Sequence, residues 1–172
     1  MNDTNKIQKG VLSAKNQNIS SSNDKNKLSK DQKELNRLIT IWRCMTFEVS
    51  EISSLAQNVR SADIKKQYYG VIGLRKILSN DENPPIQEAL NSGVVPDLIK
   101  LVQTSSESRI QAESAWCLAN LCAGTDEQTQ EVVDKGGISC FLSALKSSDD
   151  EVIDNGLRGI ANIAGTSTEL RD

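Results

Sequence analysis

The sequence predicts an all-α solenoid of about three stacked helical units over residues 51–172. An amphipathic capping helix over 31–50 and a disordered tail over 1–30 precede it. Three observations predict this. A helical frame, Trp116-Cys-Leu-Ala-Asn120, returns 42 residues later as Arg158-Gly-Ile-Ala-Asn162, keeping the Asn and losing the Trp. A period of that length marks repeat architectures, whose units cannot bury their apolar faces alone and so stack on one another. The punctuation recurs too: Asn91-Ser-Gly93 and Lys135-Gly-Gly137 each read as a helix end, with Gly93 and Gly136 43 residues apart. Finally, aromatics are 3% of the chain and hydrophobics 37%, so the core must be Leu, Ile, Val and Ala, which suits packed helices better than a sheet.

The elements follow in order. Residues 1–30 scatter a few apolar residues among Asn, Ser and Lys and cannot bury enough surface to order themselves. From about Asp31, Leu35, Leu38, Ile39, Trp42 and Met45 form a stripe at helical spacing, read as a helix that caps the first unit. Ile52 to Ser79 keeps helical spacing and forms a degenerate first unit, about 51–82. Asn83-Pro84-Pro85 breaks the chain. The second unit, about 83–124, has a short helix from Ile86, one opened by Pro96 and running to about Gln103, and one from about Glu107 to Ala123. The third, about 125–166, repeats that cycle, with capping boxes expected at Thr125-Asp-Glu-Gln128 and Ser148-Asp-Asp-Glu151. Three helices per 42–43 residues is the armadillo pattern, a right-handed solenoid.

Composition narrows the function. There is no His, no glycine-rich phosphate loop and no paired nucleophile and base, so the chain does not read as an enzyme and implies no cofactor. Asp149-Asp150-Glu151 reads as a helix start favoured by the dipole. The spacing of Cys44, Cys117, Cys122 and Cys140 fits no zinc site, so no metal is expected, and the four read as small buried residues in a reducing compartment. No apolar run reaches membrane-spanning length and no leader pattern is visible. Charge is graded. Residues 1–50 hold nine Lys and Arg against five Asp and Glu, 51–109 seven against seven, and 110–172 four against eleven. An acidic repeat region argues against nucleic acid and for a basic partner.

Two longer runs narrow the family. Asn83-Pro-Pro-Ile-Gln-Glu-Ala-Leu-Asn-Ser-Gly-Val-Val-Pro96 and Glu113-Ser-Ala-Trp-Cys-Leu-Ala-Asn-Leu-Cys-Ala-Gly-Thr-Asp-Glu-Gln-Thr129 resemble importin alpha, the adaptor that carries nuclear-localisation signals. So does Ala161-Asn-Ile-Ala-Gly165 with Ser167-Thr-Glu-Leu-Arg-Asp172, and the resemblance covers roughly 48–172. It implies a receptor for Lys/Arg-rich signal peptides on proteins in transit between cytoplasm and nucleus, with the peptide extended along the third helices. By resemblance, Trp116, Asn120, Gly124 and Thr129 match signal-binding positions of the second unit, and Asn162 and Gly165 those of the third. Asp154 and Asn155 fall where the family keeps an acidic residue and a glutamine. The roles are chemically readable: a carboxamide donates and accepts at once, and an indole gives a wall for a lysine stem and its charge. A core position is the other reading of Trp116.

Four departures qualify the resemblance. Arg158 stands where the family has a second Trp, placing a fixed cation in a site for cations, a repulsion of about 1–4 kcal/mol at close range. Thr166 replaces the Asp that holds the deepest lysine. The tail has scattered Lys with no adjacent basic run, unlike the importin-beta-binding segment, so importin beta is not an expected partner. And the repeats number about three where the family has about ten, which reads as a truncated or divergent member, or as an open end that docks on a partner. The alternative function is a small armadillo interaction module that has lost signal-peptide binding, in which Arg158 favours an acidic ligand residue.

Overall fold

The structure, a computed structural model, describes residues 28–79 and 82–166. The tail expected to be disordered lies outside those residues up to position 27, and so does the segment 167–172. Among the described residues all regular structure is helical. It runs α1 (Lys30–Cys44), a 3-10 turn (Val49–Glu51), α2 (Ile52–Val59), α3 (Ile64–Leu78), α4 (Ile86–Asn91), α5 (Val95–Thr104), α6 (Ser108–Leu121), α7 (Asp126–Asp134), α8 (Gly137–Ala144) and α9 (Asp150–Thr166).

The chain divides into two compact units, up to Leu38 and from Ile39 onward. In the first, the Ser29 hydroxyl accepts the Gln32 N–H at 3.1 Å and so starts α1, with Asp31 in the first turn favoured by the helix dipole. The predicted stripe is narrower than expected: α1 ends at Cys44, and Met45 lies exposed beyond it.

The second unit is the solenoid. α2 packs on α3, α3 on α6 and α6 on α9, while α5 packs on α6 and on α8. The third helix of each unit therefore stacks on that of the next. The middle helix, α6, is buried at nine positions, among them Ile110, Ala115, Leu118 and Leu121. Its all-round burial is why it carries Ala, Ser and Cys between larger residues: small side chains let α3 and α9 approach from opposite sequence directions.

Local chemistry sets the boundaries. Asp63 caps α3 by accepting the Lys65 N–H at 2.9 Å. Pro96 sits in the first turn of α5, where its missing N–H costs no helical bond. Gly93 (φ 69°) and Gly136 (φ 97°) take the left-handed conformation between the first and second helices of their units. The expected box at Thr125 forms, with Thr125 and Gln128 exchanging side-chain bonds to each other's backbone N–H. The one expected at Ser148 does not. There α9 starts at Asp150, and the Asp149 carboxylate accepts the Glu151 N–H at 3.0 Å, because a carboxylate one residue nearer the helix is the better-placed acceptor.

The cysteines need one correction. Cys117, Cys122 and Cys140 are buried, but Cys44 is exposed at the end of α1. Burial pushes the buried thiols up: Cys122 and Cys140 to about 12, and Cys117 higher still, with Glu113 adding to the last.

Candidate functional site

Three helices, α3, α6 and α9, present a row of side chains at matched positions. Arg75 lies 41 residues before Trp116, and Arg158 lies 42 after it. One turn further along each helix come Ser79, Asn120 and Asn162. The row is physically continuous. The Arg75 guanidinium lies 4.7 Å from the Trp116 ring centroid and that of Arg158 5.3 Å, both within cation–π range. Asn120 donates its amide to the Ser79 hydroxyl at 3.0 Å, and Asn162 donates to the Ala119 carbonyl at 2.8 Å. Each rung is thus tied to the rung before it.

Trp116 opens onto a groove of about 410 Å³ that it shares with Arg43, Arg75, Ala112, Glu113, Glu151, Asp154, Asn155 and Arg158. The anchor of the groove is Glu113, which is 4% exposed. Its carboxylate takes Arg75 Nε at 2.8 Å and Arg43 Nη2 at 3.3 Å. A buried carboxylate needs such partners, and here two guanidiniums share one. The charge of Glu113 is therefore committed inside the protein.

The sequence-predicted residues separate into three places. Trp116, Asp154, Asn155 and Arg158 meet in the groove. Within it, Asn155 is buried and spends its amide on the Ala112 carbonyl (3.2 Å) and the Glu151 carbonyl (2.8 Å), while Asp154 is exposed. Asn120 and Asn162 are half-buried along the next turn, each with further donor and acceptor capacity beyond the bond it makes. Gly124 lies in the connection between α6 and α7, and Thr129 in the first turns of α7. Thr129 is fully buried and donates to the Cys122 carbonyl at 3.3 Å; a Cβ on Gly124 would collide with the Gln128 side chain and crowd Ile86. Gly165 is exposed with open space around it, and the Thr166 hydroxyl donates back to the Asn162 carbonyl at 2.7 Å.

Sequence reasoning missed Arg43, Arg75 and Glu113. Arg75 was findable, because it occupies the Trp116 position of the preceding unit. Arg43 was not, since it arrives from α1, outside the repeat.

The sequence matches the Armadillo/beta-catenin-like repeat family over residues 82–123 and 125–165. It is 33% identical to importin subunit alpha-6 of Arabidopsis thaliana over 124 residues, 72% of this chain and 23% of that protein. Against importin subunit alpha-1b of Oryza sativa subsp. japonica the identity is 35% over 121 residues, 70% of this chain and 23% of the relative. This is an importin alpha-like armadillo-repeat protein. Its fold is the all-α armadillo solenoid expected from the period, and it spans about a quarter of the length of these relatives. A designed armadillo repeat protein in complex with the peptide (KR)4 superposes with a TM-score of 0.66 at 25% identity, over 83% of this chain and 63% of the designed one. Among the described residues of the importin alpha-like chain, no helix is long and apolar enough to cross a membrane.

Proposed function

We propose that this protein is a peptide-binding adaptor in protein import into the nucleus, at work in cytoplasm and nucleus. It holds an extended Lys/Arg-rich signal peptide along the shared face of α3, α6 and α9, with no cofactor and no chemical step. The observation that carries this reading is the Asn120–Asn162 pair, set one repeat apart beside Trp116. Carboxamides at a fixed pitch suit the repeating N–H and C=O groups of an extended backbone, for which no side-chain chemistry is needed. The acidic balance of residues 110–172 and the exposed Asp154 and Glu151 favour a basic ligand, and they raise its encounter rate. The match to importin alpha subunits and to a designed repeat protein bound to (KR)4 supports the same class of ligand.

A second reading, an armadillo interaction module without signal-peptide binding, draws support from the two guanidiniums already stacked on Trp116. One titration separates the two. A labelled lysine-rich signal peptide and an acidic peptide of equal length are each titrated with the full chain. Saturable binding of the basic peptide, weakened about tenfold or more by Asn120→Ala, supports the adaptor. Absence of saturation below roughly millimolar protein sinks it.

A further inference from the structure

The row Arg75–Trp116–Arg158 has a chemistry of its own. Glu113 anchors Arg75 through Nε, and the ring stacks beside it. Arg158 differs: it is exposed, and among the described residues its guanidinium makes no hydrogen bond or ion pair. Asp154 lies one turn before it on the same helix, the arrangement in which an acidic residue best reaches a basic one, yet the two form no ion pair. The ring, not the neighbouring carboxylate, holds Arg158. Stacking fixes a planar cation while leaving its edge N–H donors unspent, five of them in a fork that fits a carboxylate.

A lysine ammonium arriving at this rung would have to displace a guanidinium from Trp116 and sit beside two others. A carboxylate would meet the opposite: an oriented donor fork, with the one buried carboxylate nearby already neutralised by Arg43 and Arg75. We infer that Arg158 is a specificity-determining residue that makes the Trp116 rung a receptor for an acidic side chain of the bound peptide. The ligand is then mixed in charge. Basic residues face the acidic rim, and one Asp or Glu forks onto Arg158 beside the indole. This rests on the proposal that an extended peptide lies along α3, α6 and α9.

The test uses the full chain, a fluorescent lysine-rich peptide and the set of its single glutamate-for-lysine variants, read by anisotropy. Expected is one peptide position at which glutamate raises affinity about tenfold, with the gain abolished in Arg158→Gln. The exposed Arg158 can be replaced without disturbing the core, and circular dichroism of the variant checks this. The inference is overturned if glutamate weakens binding at every position, or if the gain survives Arg158→Gln. Tight binding of the all-lysine parent with losses throughout would leave the adaptor reading intact and remove only the acidic rung. Failure of every peptide to bind would remove both.

Discussion

Replacing Glu113 with Gln removes one charge and almost no volume, so it isolates what the buried carboxylate contributes. Glu113 holds Arg75 at 2.8 Å and Arg43 at 3.3 Å. The two bonds are unequal because their surroundings differ: the Arg75 side chain is 14% exposed and that of Arg43 49%. The first counts as a charge-assisted bond away from water, about 1.5–3 kcal/mol. The second is closer to a surface ion pair, about 0–1 kcal/mol. In Glu113→Gln one carboxylate oxygen becomes an NH2 aimed at a guanidinium, and Arg75 loses the counter-charge it is paired with in the groove. The expected loss is about 2–4 kcal/mol, or about 6–12 °C in Tm for a domain of this size. Thermal unfolding followed by far-UV circular dichroism measures it, with Arg75→Ala and Arg43→Ala alongside. If Glu113→Gln costs less than about 1 kcal/mol, the carboxylate is more hydrated than its burial implies. If Arg43→Ala costs as much as Arg75→Ala, the argument from unequal exposure is wrong.

Other outcomes follow from the same contacts. Gly159→Ala should destabilise by about 1–3 kcal/mol or more, since its Cβ would meet the buried Phe141 ring, whereas Gly165→Ala, with nothing near it, should stabilise α9 by about 0.5–1 kcal/mol; chemical denaturation of both variants gives the contrast. Asn155→Ala should cost about 1–3 kcal/mol while barely changing peptide affinity, measured by pairing that denaturation with the anisotropy titration. Native alkylation at mild pH should label Cys44 alone, and unfolding should expose all four thiols to mass-spectrometric detection. The raised thiols also set an alkaline limit. In the folded state Cys122 and Cys140 ionise at about 12 rather than 9.0, so their contribution is full below pH 9 and is lost as pH rises toward 12; urea midpoints across that window should fall steadily.

The sequence made the period, the three-helix cycle and the Asn120–Asn162 register legible, because a repeat writes its geometry twice. It was less informative wherever a single helical step decides. Asp154 and Asn155 are neighbours, yet one is exposed and the other is buried and bound to two carbonyls; about 100° of rotation separates them, finer than an apolar pattern with Asn and Asp in it can phase. Thr129, matched by resemblance to a signal-binding position, shows the same limit: its place one turn after the Thr125 cap turns it inward against Cys122. The Arg43–Glu113–Arg75 cluster spans separations of 70 and 38 residues, and part of it comes from a helix outside the repeat, where periodicity carries no information.

Two asparagines on α9, Asn155 and Asn162, each reach a carbonyl of α6 lying 43 residues earlier, at Ala112 and Ala119. They sit two turns apart, about 10.5 Å along the axis. A rod fastened at one point can swivel; fastened at two, it can neither swivel nor slide. α9 is therefore gauged against α6, and the distance from one rung to the next is set by the protein before any ligand arrives. Such a surface measures what it binds: a chain whose side chains fall at the wrong pitch gains nothing by bending the ruler, and it must bend itself instead.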